Sequence, residues 1–129
     1  MINSTSSDFL IRIKNGYRAS RKSISAPASK YSVSLAEIIK KYNYIADYSV
    51  TGDIKKTMTI SLSYNNNQPK VTEVRLFSKP GRRLYEKSSS LPWGKTKDSL
   101  IIISTSSGLM SQKEATKKGL GGEIIAEIW

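Results

Sequence analysis

An apolar run, Leu100-Ile101-Ile102-Ile103, passes directly into Ser104-Thr105-Ser106-Ser107-Gly108, and after one short segment the chain reaches Gly119-Leu120-Gly121-Gly122-Glu123-Ile124-Ile125. The run reads as a strand. Its end is a row of hydroxyl groups facing a second turn nearly stripped of side chains. Such a pair of segments accepts a polar backbone at close range, because glycine lets a ligand approach and Ser or Thr supplies compact donors and acceptors. A phosphate-sugar backbone suits it, since the remainder of the chain is strongly basic: 21 Lys and Arg against 10 Asp and Glu, a formal charge of +11. An excess of that size repels itself, and its usual purpose is a polyanion.

Composition removes most other chemistry. At 129 residues the chain is one domain or two small lobes sharing a core. It has no Cys and no His, so disulfides, thiolate sites and zinc-type ligand sets fall away, and no metal or cofactor is expected. A nucleophilic serine wants a neighbouring base, normally His, which argues against an enzyme. Gly94-Lys95-Thr96 imitates the end of a nucleotide-binding loop, but Ser89 stands where that pattern needs glycine. The apolar run is too short for a bilayer span, and Met1-Ile2-Asn3-Ser4-Thr5 lacks the blocks of a signal peptide. The expectation is a soluble, unprocessed chain with no membrane partner and no small-molecule substrate.

Periodicity lays out the elements. After Ser4-Thr5-Ser6-Ser7-Asp8, a cluster of helix-capping residues, Phe9, Ile13 and Tyr17 recur every fourth position beside Leu10, with Arg12, Lys14 and Arg18 on other faces. Gly16 is expected to end or weaken that helix. Lys22 to Ala26 reads as a short strand closed by Pro27, and Ser29 caps a second helix carrying Tyr31, Leu35, Ile38, Ile39 and Tyr42. Tyr31 and Tyr42 are assigned to the core. From Tyr44 the period becomes two: strands are expected near 45–50, 57–64 and 71–77, forming an antiparallel meander. Ser78-Lys79-Pro80-Gly81-Arg82-Arg83-Leu84-Tyr85 then reads as a basic turn with an aromatic beyond it. Ser111-Gln112-Lys113-Glu114 matches a capping box for a short helix to Lys118, with Gly119 as its C-terminal cap. Glu123 to Trp129 closes the sheet. The fold class is α+β, with an amino-terminal α/β lobe at 1–77 and a mostly β lobe with one short helix at 78–129.

By themselves, the hydroxyls of the serine segment suit local turns about as well as binding. The combination of Ile103-Ser104-Thr105-Ser106, Gly108, Met110 and Gly119-Leu120-Gly121-Gly122-Glu123-Ile124 resembles the carboxyl-terminal signature of the family of ribosomal protein eight of the small subunit. Arg12-Ile13-Lys14-Asn15, Pro27-Ala28-Ser29-Lys30, Tyr44-Ile45 through Asp47-Tyr48, and Lys79-Pro80-Gly81 through Tyr85 extend the likeness in order over the whole chain. The resemblance implies two closely packed lobes and a primary RNA-binding protein of the small ribosomal subunit that recognises the central domain of its RNA and helps assembly. It implies RNA contacts at Ser104, Thr105, Ser106, Gly121, Gly122, Glu123 and Tyr85. Further contacts are implied at Lys79, Gly81, Arg82 and Arg83 in the turn, and at Asn15, Ser29 and Lys30 in the amino-terminal lobe. Neighbouring small-subunit proteins would be the other partners, with no homo-oligomer, on a ribosome in a bacterial cytoplasm or an organelle.

Glu123 beside RNA would accept a base amine or a 2′-hydroxyl, or orient an arginine, the second being favoured. Trp93 and Trp129 are assigned to packing. The chain departs from the family at Ser107, Lys97, Ser99 and Thr116, and its first helix lacks the Asp-Pro-Ile-Ala opening. The alternative function is a basic protein-interaction module working through exposed sheet edges.

Overall fold

The computed structural model describes residues 4–79, 81–95 and 98–129; Met1 to Asn3, Pro80 of the basic turn, Thr96 and Lys97 lie outside the described residues. By internal packing the chain divides into two compact units, Asp8–Thr72 and Glu73–Trp129, the latter together with the start of the first helix.

In the first unit, helix α1 (Ser4–Arg18) buries Phe9, Leu10, Ile13 and Tyr17, the stripe that the spacing of four picks out. Its start lies within the capping cluster rather than after it. Gly16 does not end it. A Cβ there would stand 2.6 Å from Ile24 Cγ2 and 3.0 Å from Leu62 Cδ1, so glycine lets the helix approach the following strand. That strand, β1 (Ser23–Pro27), leads to Ser29, whose hydroxyl accepts from the Ser32 amide at 3.1 Å and caps α2 (Lys30–Lys41). Leu35, Ala36, Ile38 and Ile39 are buried on α2, but the helix stops at Lys41. Tyr42 is therefore its C-cap and 37% exposed rather than core, while Tyr31 is half-buried.

Strands β2 (Asp47–Thr51) and β3 (Thr57–Ser61) follow, and the sheet order is β1-β3-β2, antiparallel throughout. Met58 and Ile60 on β3 are fully buried while Thr57 and Thr59 face out, as the alternation requires. The third member of this sheet is β1, not the strand expected at 71–77. Tyr64–Asn65 (β4) and Gln68–Pro69 (β5) form a separate two-stranded hairpin, and its turn residues Asn66 and Asn67 both take positive φ, 53° and 67°. Asn tolerates that conformation better than other residues with side chains. Strand β6 (Val74–Leu76) then joins the other sheet.

Tyr17 ties this unit together. Its hydroxyl donates to the Tyr44 carbonyl at 2.6 Å and accepts from the Ser63 amide at 3.0 Å. Burial pushes its pKa up to about 12, against the lowering effect of the Ser63 bond. A phenol that ionises more readily unfolded than folded favours unfolding as pH rises, so this contribution is intact below pH 10 and is lost through pH 12. Tyr17→Phe is expected to cost about 1–3 kcal/mol at neutral pH, because it leaves a buried donor and acceptor unpaired. Urea unfolding of parent and variant checks this: the difference should shrink between pH 10 and 12.

The second unit continues with β7 (Tyr85–Glu86), a single 3-10 turn at Ser88–Ser90, β8 (Leu100–Thr105), β9 (Gly108–Ser111), α3 (Gln112–Lys118) and β10 (Gly122–Ile128). The sheet runs β6-β10-β8-β9, with β7 also pairing β10. Leu100, Ile101, Ile102 and Ile103 are all 2% exposed or less. Successive strand residues point to opposite faces, so β8 is buried on both. One face, Ile101 and Ile103, packs with Leu91, Met110, Ala115 and Ile124. The Ser111 hydroxyl accepts from the Glu114 amide at 3.2 Å, and Gly119 closes α3 at φ 69°, as the capping pattern expects. The chain is an α+β protein with helices concentrated toward the amino terminus and a mostly β carboxyl-terminal portion holding one short helix.

Candidate nucleic-acid interface

The serine segment is tighter than a loop. Strand β8 continues through Ser104 and Thr105, Ser106-Ser107 make a two-residue turn, and β9 starts at Gly108, whose φ of 106° is one that side chains rarely adopt. The Thr105 hydroxyl donates to the Gly108 carbonyl at 2.9 Å and accepts from the Ser107 amide at 3.1 Å. Thr105 therefore shapes the turn, while the exposed Ser106 stands at its tip. Sequence periodicity marks no strand at β9, which carries no long apolar pattern of its own.

The beginning of β10 brings the scattered candidates together. Glu123 pairs with Ser104 on one side and with Tyr85 on the other, and Gly122 pairs with Glu86. Neighbouring strands lie about 4.8 Å apart, so the backbones of Ser104 and Tyr85 stand about 10 Å apart across Glu123. Tyr85 is 62% exposed and Glu123 is only 3% exposed. An open hollow lies beside this point, bordered by Tyr85 to Lys87, Ser88, Ser90 and the Gly119, Gly121 and Gly122 backbone.

Gly121 and Gly122 are needed for close backbone packing. A Cβ on Gly122 would lie 2.1 Å from the Ser104 carbonyl oxygen, and one on Gly121 would lie 2.5 Å from that of Glu86. The protein's own backbone fills both spaces. These two glycines let β10 close against β8 and β7, which is what sets Ser104 and Tyr85 on either side of Glu123.

The basic turn is similarly held. Lys79 and Arg82 exchange backbone hydrogen bonds of 2.8 and 2.9 Å, and Gly81, Arg82 and Arg83 are exposed around them. Beneath it Ser78 is wholly buried: its hydroxyl donates to the Ile124 carbonyl at 2.6 Å and accepts from the Leu84 amide at 3.0 Å. A further bond, from the Ile124 amide to the Leu84 carbonyl at 2.9 Å, fastens the turn's exit to β10. Sequence reasoning passed over Ser78, because a lone serine between Phe77 and Lys79 has no pattern to mark it.

In the first unit the candidates do not form one cluster. Asn15 is exposed on α1 beside a hollow that includes Arg12 and Arg21, and the Arg12 guanidinium donates to the Ser25 carbonyl at 3.2 Å. Lys30 is exposed at the start of α2, and the Ser29 hydroxyl is engaged as the helix cap. Among the described residues no group of three or more Asp and Glu side chains could hold a metal, and no helix is long and apolar enough to cross a membrane.

Comparison with known proteins gives one answer. A family model described as ribosomal protein S8 matches residues 4–129. Proteins named small ribosomal subunit protein uS8 align along nearly all of the chain. The one from Corynebacterium diphtheriae is 44% identical over 124 residues, covering 95% of this chain and 94% of its own. That from Aliivibrio fischeri strain MJ11 is 41% identical over 122 residues, with the same coverage. That from Spiroplasma kunkelii is 40% identical over 129 residues and covers both chains completely. With its signature segments meeting at one strand end, and with relatives this similar over their full lengths, the chain belongs to the ribosomal protein S8 family.

Proposed function

We propose that the protein is a structural, non-enzymatic constituent of the small ribosomal subunit, and that it binds the central domain of the subunit's RNA directly and helps the subunit assemble. The carboxyl-terminal lobe, residues 78–129, carries most of that contact. One observation supports this reading above others: β10 sets Ser104 and Tyr85 on either side of Glu123, at the edge of an open hollow and on a chain of charge +11. A-form RNA hides its major groove, so a protein reads it through 2′-hydroxyls, backbone and stacking, for which hydroxyl, peptide and tyrosine groups are the suitable partners. Lys79, Arg82 and Arg83 supply salt-dependent attraction, and Asn15, Ser29 and Lys30 add contacts from the first unit. Neighbouring ribosomal proteins are the other partners.

Within the serine turn the two hydroxyls divide the work. Ser106 meets the ligand, and Thr105 keeps the turn in shape for it. Ser106→Ala is expected to weaken binding to small-subunit RNA by about 1–3 kcal/mol, the cost of leaving a desolvated RNA group unpaired, with no change in thermal stability. Filter binding measures the first and calorimetry the second; an unchanged affinity would sink the assignment of the turn.

A further inference from the structure

Trp93 contradicts its assignment to packing. It is 83% exposed, the largest apolar side chain so presented among the described residues. Exposing an indole forgoes the burial that normally stabilises it, so such a residue on a well-held segment points to a partner. The segment is well held at both ends. Leu91, two residues before, sits in the core cluster with Ile101, Ile103 and Ile124. Two residues after, the Lys95 amide donates to a carboxylate oxygen of Glu127, and Glu127 is itself only 2% exposed. The Lys95 ammonium lies 5.6 Å from the centre of the Trp129 ring, which steadies the same residue a second time. A buried carboxylate spent on the Lys95 amide restrains the segment that carries Trp93.

The surroundings select the partner. From Lys87 to Lys95 the chain carries two lysines and no acidic residue, so the indole sits in a cationic stretch. The other exposed large ring of this unit is Tyr85, held by its pairing with Glu123 near one end of β10, whereas the Trp93 loop is bonded to Glu127 near the other. Four residue steps along the strand separate those anchors, about 13 Å. A protein partner would be expected to meet a wider apolar patch. Here the ring is flanked along the chain by Lys87 and Lys95, which suits a stacked base with its phosphate.

We propose that Trp93 is a second stacking platform for RNA, taking an unpaired base at a point separate from the Ser104–Tyr85 surface. This rests on the RNA-binding reading above. The ring supplies a sequence-tolerant π-face, and the cationic stretch of chain that carries it supplies the attraction.

The test uses the full chain and small-subunit ribosomal RNA. With Trp129→Phe as background, Trp93 is the sole tryptophan, and stoichiometric RNA should quench its emission. Trp93→Ala should weaken binding about tenfold while leaving the salt slope unchanged, and Trp93→Phe should recover most of the loss. Parent affinity in Trp93→Ala, with Ser106→Ala still impaired, would overturn this inference alone. Normal affinity in both variants, or no binding by the parent chain, would remove the underlying reading with it. Emission that ignores RNA but shifts to the blue with RNA-free small-subunit proteins would assign Trp93 to a protein contact instead.

Discussion

Gly122→Ala is expected to destabilise the protein by about 3 kcal/mol, at the upper end of what overpacking usually costs, because its new methyl has nowhere to go. The Cβ would stand 2.1 Å from the Ser104 carbonyl oxygen and 2.9 Å from its carbon, and both are backbone in a paired strand. A flexible side chain could turn away; a strand bonded to β9 on its other side cannot move without breaking register. The urea midpoint should fall with little change in slope, which marks lost stability rather than an altered denatured state. Gly81→Ala is the internal control. Nothing lies within 4 Å of the Cβ position there, so its midpoint should stay close to that of the parent. Gly122→Ala should also bind RNA poorly after correction for its unfolded fraction, since displacing β10 moves Ser104 and Tyr85 apart.

Replacing Arg82 and Arg83 together with alanine is expected to weaken RNA binding by roughly 25- to 60-fold at 0.1 M salt. The magnitude follows from counterion release: each phosphate contact contributes about 0.7–0.9 to the slope of log affinity against log salt, and two are removed. The slope itself should flatten by nearly two such increments, and the loss should be similar for every RNA sequence tested. Both guanidinium groups lie on an exposed turn whose fastening, through Ser78 and the Leu84 backbone, involves neither side chain. Stability should therefore hold. A titration series from 0.05 to 0.5 M salt, chosen to span roughly one decade, reads slope and affinity together. An unaltered slope would exclude the turn from the phosphate-binding surface. The two double-variant readouts also separate this turn from Trp93, whose uncharged ring should leave the slope alone.

Local rules accounted for much of what was read correctly. The spacing of four at Phe9, Ile13 and Tyr17, the Ser29 cap and the Ser111 cap depend on residues a turn or two apart, and each appears where its pattern predicts. Gly16 failed the same test because its role is a close approach to Ile24 and Leu62, residues distant in sequence. Tyr42 continued the helical spacing, yet the helix had ended one residue earlier. Trp93 looked like core because it is apolar, and no periodicity surrounds it to say otherwise.

The serine segment and the glycine turn divide along the same line. The residues read in order specify that a buried strand runs out at a hydroxyl cluster, that a capped helix returns the chain to a glycine turn, and that the chain around them is cationic. Their family membership was also legible, since its motifs occur in order along the chain. Long-range packing settled the rest: β6 pairs with β10 instead of joining the first sheet, and Glu123 stands between Ser104 and Tyr85. It also decided that Gly121 and Gly122 are filled by the protein's own carbonyls. The reason is physical: periodicity records which face of an element is buried, whereas strand partners and close backbone contacts depend on groups tens of residues away that leave no local trace.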